Sequence, residues 1–125
     1  MADFITIPTA SLAKAKYEQA CYDYHEHIKR ERQRGEEDFP RFIRFLASTI
    51  EDRSKQMCCN MRVDFDTDNY KEHDSRCLYH WHGIPPINWD KEIERIFISA
   101  GYEVTARSYF NSTYREGSVY ISWQK

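Results

Sequence analysis

The chain has little of what backbone-centred chemistry needs. Four glycines and four prolines are spread over 125 residues. Neither a Gly-rich phosphate loop nor a Gly-x-Ser-x-Gly nucleophile elbow can be drawn through them. Long apolar runs are missing as well. The opening MADFITIPTASLAKAK carries no apolar signal core, and no stretch reaches the length needed to cross a bilayer. The expectation is a cytoplasmic protein with no membrane partner. Charge of one sign is also lacking, since 18 basic residues stand against 20 acidic ones, a net −2. Duplex-DNA binders usually show a clear positive excess, so duplex DNA is not an expected partner. There is no CxxC pair and no helical HxxxH. Cys58 and Cys59 are neighbours, and a disulfide between neighbours is strained. Together with Cys21 and Cys77 they read as free, mostly buried thiols in a reducing compartment.

What is present belongs to a folded protein. Hydrophobic residues make up 41% and charged residues 30%, a globular balance. Aromatics reach 15%, with nine tyrosines. The core is therefore expected to be built from rings, with some tyrosines left at the surface as contact residues. The length fits one domain, residues 1–125.

Two helices are expected first. Over 9–34, capped by Thr9 or Ser11, the residues Leu12, Tyr17, Ala20, Cys21, Tyr24 and Ile28 form one apolar stripe. The charged end IKRERQRGEED reaches Gly35, which reads as the stop. Over 38–55, with Asp38 as N-cap and Pro40 early, the stripe is Phe39, Phe42, Ile43, Leu46, Thr49 and Ile50. The two make a helical hairpin, 9–55.

From 57 onward the period changes to two. MCCNMRVDFD alternates Met57, Cys59, Met61, Val63 and Phe65 with Cys58, Asn60, Arg62 and Asp64. After the polar loop TDNYKEHDSR, the strand CLYHWHG sets Cys77, Tyr79 and Trp81 against Leu78, His80 and His82, and Pro85-Pro86 ends it. Asn88 caps a further helix, DKEIERIFISA, which Gly101 stops. YEVTARSYF and SVYISW close the chain. The fold class is α+β, in the order α-α-β-β-α-β-β, with the sheet part over 57–125. An antiparallel sheet of about four strands has helices on one face. The other face carries Cys58, Arg62, Asp64, His80, His82 and Glu103, together with Thr105, Arg107, Tyr109, Tyr120 and Ser122. Paired arginines, histidines and tyrosines are adhesive side chains, unlike the Lys, Glu and Thr of a merely solvated face.

The segment EIERIFISAGYEVTARSYFNSTYREGSVYISW runs from an amphipathic helix into Gly101-Tyr102-x-Val104, then through a polar turn to a last strand ending Tyr120-Ile121-Ser122-Trp123. This last quarter resembles the ending of many small proteins of tailed bacteriophages. The resemblance implies a phage origin and action inside an infected bacterium, in the virion or against host defence rather than in metabolism. It carries over no catalytic residue, and it leaves out the N-terminal helices and the His80-Trp81-His82 strand.

Four chemistries suggest themselves for these residues. On a strand, His80 and His82 point the same way and can share a metal such as zinc, with Cys58 on the same face and His73 and Asp74 in the nearby loop. A fourth ligand is missing, so no cofactor is expected. DFDTDN matches the start of a calcium loop at Asp64, Asp66 and Asp68, but Asn69 stands where glycine is needed and Ser75 where the bidentate Glu belongs. Arg62, His80, His82, Arg107, Tyr109 and Tyr120 have the chemistry to stack on bases and pair with phosphates. The same residues suit a protein interface or a homodimer contact. The leading expectation is a non-enzymatic binding protein that occludes a host defence or regulatory protein. A sponge for a nucleotide-like signalling ligand comes second, and a metal-dependent enzyme using His80 and His82 third.

Overall fold

A computed structural model of the chain describes residues 6–67, 77–111 and 114–124, and for 109–111, 114 and 115 the backbone alone. Asp68, Asn69, His73, Asp74 and Ser75, the loop positions of the metal and calcium readings, lie outside the described residues. The order is α1 (Ala10–Lys55), β1 (Asn60–Thr67), β2 (Tyr79–Trp81), α2 (Trp89–Ser99), β3 (Glu103–Asn111) and β4 (Tyr114–Ser122). The expected α+β class, with a four-stranded sheet and a further helix, is what forms. Contacts divide the chain into two compact units, Met1–Arg30 and Glu31–Lys125.

In the first unit Thr9 is the cap. Its hydroxyl accepts from the Leu12 N–H at 3.1 Å, and its carbonyl accepts from Ala13 N–H at 2.9 Å. The apolar stripe expected to be buried is left uncovered, with Leu12 49%, Tyr17 69% and Tyr24 62% exposed.

In the second unit the helical hairpin gives way to one helix. Residues 31–55 are helical throughout, across Gly35 and past Pro40. Gly35 is buried, and a Cβ built on it would stand 1.6 Å from the Ile84 carbonyl oxygen. Glycine is there so that another segment can come close, not to end the helix. Pro40 forgoes one backbone bond, a cost of about 3 kcal/mol in a helix interior. The burial of Phe42, Leu46 and Ile50 on the following turns offsets it. The helix ends where Met57 adopts φ 62°, with Met57 N–H bonded to Ser54 O and Cys58 N–H to Arg53 O. Met57 and Cys58 therefore belong to the helix cap rather than to the strand.

The sheet order is β2-β1-β4-β3. β1–β4 and β4–β3 are antiparallel, as expected. β1–β2 is parallel, pairing Phe65 with Tyr79, Asp66 with His80 and Thr67 with Trp81, so the sheet is mixed. A two-residue alternation reads the same in either direction, which is why sequence pattern did not separate the two cases. β2 is shorter than CLYHWHG, because at Gly83 the backbone turns with φ 85° and leaves the sheet.

Within the second unit, residues 31–55 of α1 and the whole of α2 cover one face. Phe42 is the hub of the core, with ring centroids 4.7 Å from Trp81, 4.8 Å from Tyr79 and 5.2 Å from Phe65. Trp81, Val63, Val119, Ile121 and Ile93 have no exposed surface. At α2 the expected stop holds. Gly101 takes φ 96°, its N–H bonds Ile98 O, and the Tyr102 N–H bonds Phe97 O at 3.0 Å. Tyr102 then packs on Phe97 at 6.0 Å and on Trp123 at 6.1 Å. This gives the Gly101-Tyr102 pair and the terminal Trp123 a shared physical reason, a helix stop sealed by an aromatic contact. Asn88 makes no side-chain cap bond; its carbonyl accepts from Glu92 N–H.

Candidate functional site

The uncovered face of the sheet is built by alternation. β1 sends Met61, Val63 and Phe65 into the core, which leaves Arg62 and Asp64 outward. β4 does the same with Val119 and Ile121, leaving Ser118 and Tyr120. Register then brings three strands together. Arg62, Tyr120 and Thr105 form one cross-strand row, and Asp64, Ser118 and Arg107 form the next. Arg62, Thr105, Arg107, Ser118 and Tyr120 line a groove of about 340 Å³ in the middle of this face. Arg62 Nε donates to Asp64 Oδ1 at 3.1 Å, both side chains standing in solvent. Arg107 is exposed and forms no ion pair with any of the described residues. Tyr120 is 42% exposed. The groove thus offers a guanidinium not committed to a carboxylate, a phenol ring and two hydroxyls. Such a set recognises a planar or anionic group and has no general acid–base pair built into it.

The structure brings Arg62, Arg107 and Tyr120 together, three of the six residues expected to act. Tyr109 is in register with Glu116 on the same pair of strands, and its side chain lies outside the described residues. His80 and His82 part company. His80 lies on β2 with Nδ1 against an oxygen of Asp66, a carboxylate that is almost wholly buried while the imidazole is 42% exposed. Such a carboxylate fixes the ring's orientation. His82 follows the last residue of β2, so the strand rhythm no longer governs it. Its backbone N–H donates to Asp38 Oδ2 at 3.0 Å, and its Nδ1 stands 3.8 Å from Asp38 Oδ1. The two imidazoles face different carboxylates, which overturns the shared orientation expected of them. Cys58 makes only a long Sγ contact to the Gln56 carbonyl, 3.8 Å, in the cap of α1. Among the described residues, no three His, Cys, Asp or Glu side chains gather in a way that would hold a metal ion. None of the four cysteines is in a disulfide, and all are half-buried.

Sequence reasoning missed Asp38. It is not an N-cap but a buried anchor between α1 and β2. Its carboxylate receives Arg41, the Tyr79 hydroxyl at 2.8 Å and the His82 N–H. Arg41 in turn donates to the His80 carbonyl at 2.8 Å and lies over the Tyr79 ring, 4.5 Å from its centroid. Burial alone would raise the Asp38 carboxyl; the bonds from Arg41, His82 and Tyr79 outweigh it and hold the group below the ordinary carboxylate value. Burial, and then the bond to Asp38, pushes the Tyr79 phenol above its usual value. Trp81 completes the junction by donating Nε1–H to the Gly35 carbonyl at 3.0 Å. A sign was present in the spacing Asp38-x-x-Arg41, which puts both side chains on one helix face.

No protein-family model matches the chain, and neither does a curated protein or a solved structure.

Proposed function

We propose that this protein works by binding, and that its working surface is the uncovered face of the sheet around Arg62, Arg107 and Tyr120. The observation that carries the reading is Arg107, an exposed guanidinium without a carboxylate partner among the described residues, set beside Tyr120 in a groove. Arginine and tyrosine are among the residues enriched where proteins hold each other. The partner is an acidic surface on another protein, which the face occludes. The likeness of the C-terminal segment to tailed-phage proteins supports a bacterial host protein of defence or regulation as that partner, met in the host cytoplasm. Affinity capture from bacterial lysate tests this. The wild-type chain retains a reproducible partner, and Arg107→Glu loses it. If both chains retain the same proteins, or neither retains any, the reading fails.

A second reading is favoured by the size of the groove. About 340 Å³ lies within the range of small-molecule sites. Arg107 and Arg62 suit a phosphate and Tyr120 suits the stacking of a base, so a nucleotide-like ligand fits the same residues. Native mass spectrometry distinguishes the two, since a retained nucleotide lost on Tyr120→Ala supports the sponge over the occluder.

A further inference from the structure

The first unit holds a helical face that stays exposed among the described residues, and its pattern selects an occupant. Ala13, Tyr17, Ala20 and Tyr24 recur at steps of four, three and four, the a/d seam of a short helical pair. Tyr17 is 69% and Tyr24 62% exposed, and both alanines are exposed too. Large and small residues alternate along the seam. If an identical helix lies antiparallel with Tyr17 opposite Ala20, then Tyr24 falls opposite Ala13, and every tyrosine meets an alanine. The same register sets Lys16 level with Asp23 on one flank, twice by symmetry. On the other flank it sets Lys14 beside Cys21. A parallel pair in register does none of this. It stacks tyrosine on tyrosine and alanine on alanine, and it faces Lys16 with Cys21 and Asp23 with Ile28. Asp23 already accepts from Gln19 through one oxygen, which holds its side chain along the helix.

We infer that residues 10–30 of α1 pair antiparallel with the same segment of a second copy of this chain, through a Tyr17/Ala20 and Tyr24/Ala13 seam flanked by Lys16–Asp23 ion pairs. The inference is independent of the sheet face. Two copies joined in this way carry two binding faces, which raises avidity for a partner that is itself multimeric.

Sedimentation equilibrium of the full chain, loaded from ~10 µM to ~1 mM, tests it, because a small interface needs that range. The expected mass rises from the 15.1 kDa of one chain toward twice that value. Lys16→Asp and Asp23→Lys each weaken association by about tenfold, since each sets like charges face to face twice, and the double exchange restores it. These positions are exposed, so the variants keep their fold, which circular dichroism checks. In Lys14→Cys, a short bismaleimide joins residue 14 of one copy to Cys21 of the other. A single-chain mass at every loading overturns the inference. So does a dimer indifferent to both single exchanges, or one in which residue 14 fails to link to Cys21.

Discussion

Gly35 and Ile84 meet backbone to backbone. The carbonyl oxygen of Ile84 lies where a side chain at position 35 would begin, and the Ile84 N–H donates to the Glu31 carbonyl at 2.9 Å. Gly83, with φ 85°, is the residue that lets the chain turn into this contact, and a Cβ on it would come 2.5 Å from the Gly35 nitrogen. On an exposed helix, Gly→Ala is stabilising by about 0.5–1 kcal/mol. Here the sign reverses. Gly35→Ala costs about 3 kcal/mol, since backbone rather than a flexible side chain must give way. Urea unfolding checks it, and a gain in stability would refute the close approach.

The Asp38 anchor makes stability depend on acid in a predictable direction. Its folded carboxyl titrates below the unfolded value of about 4. The unfolded chain therefore takes up the proton first as pH falls. The contribution is complete above the unfolded value and is lost as pH drops through the folded one. Asp38→Asn removes about 2 kcal/mol at pH 7, discounted because the Arg41 side chain stands 44% in solvent. Urea titrations at pH 7 and pH 3 should show the difference between wild type and Asp38→Asn shrinking at the lower pH.

The Tyr79 phenol gives the opposite limb. Its folded value is raised, so its contribution is complete below the unfolded value of about 10 and is lost as pH climbs through the folded one. Tyr79→Phe costs about 1–2 kcal/mol at pH 7 by taking a donor from a buried carboxylate, and it flattens the alkaline limb. Thermal unfolding between pH 8 and pH 11 is the measurement.

Met57 closes α1 in a left-handed conformation with its side chain 95% exposed. A non-glycine residue carries a penalty of roughly 1 kcal/mol there and buries nothing in return. Met57→Gly should raise stability by about that amount, with no change in any binding activity.

Arg107→Ala and Tyr120→Ala touch only the groove. Stability should change by less than about 0.5 kcal/mol, while capture of a partner or ligand is lost. Parallel unfolding and capture experiments on the same preparations separate a binding residue from a structural one.

The two-residue rhythm carried the sheet. Val63, Phe65, Trp81, Val119 and Ile121 are buried, and Arg62, Arg107 and Tyr120 are outward. A strand's alternation states its faces whatever its neighbours are. Gly101 was legible for a similar reason, because a helix stop is local. Gly35 was not, because a glycine after a polar run looks the same whether it ends a helix or makes room for distant backbone. His82 shows how a periodic argument fails one residue past the end of its element. The stripe of Tyr17 and Tyr24 announced a face and said nothing about what would cover it.

The Trp81–Gly35 bond joins residues 46 positions apart, and the Tyr79–Asp38 bond spans 41. By contrast α2, β3 and β4 are successive neighbours in the chain. Contacts of long sequence separation form late, because a large loop must close before they yield anything. The C-terminal helix and hairpin therefore assemble first, and the pairing of β1 with β4 and the clasp of α1 onto β2 follow. In hydrogen exchange, amides around Tyr79–Trp81 should open at lower free energy than those of β4.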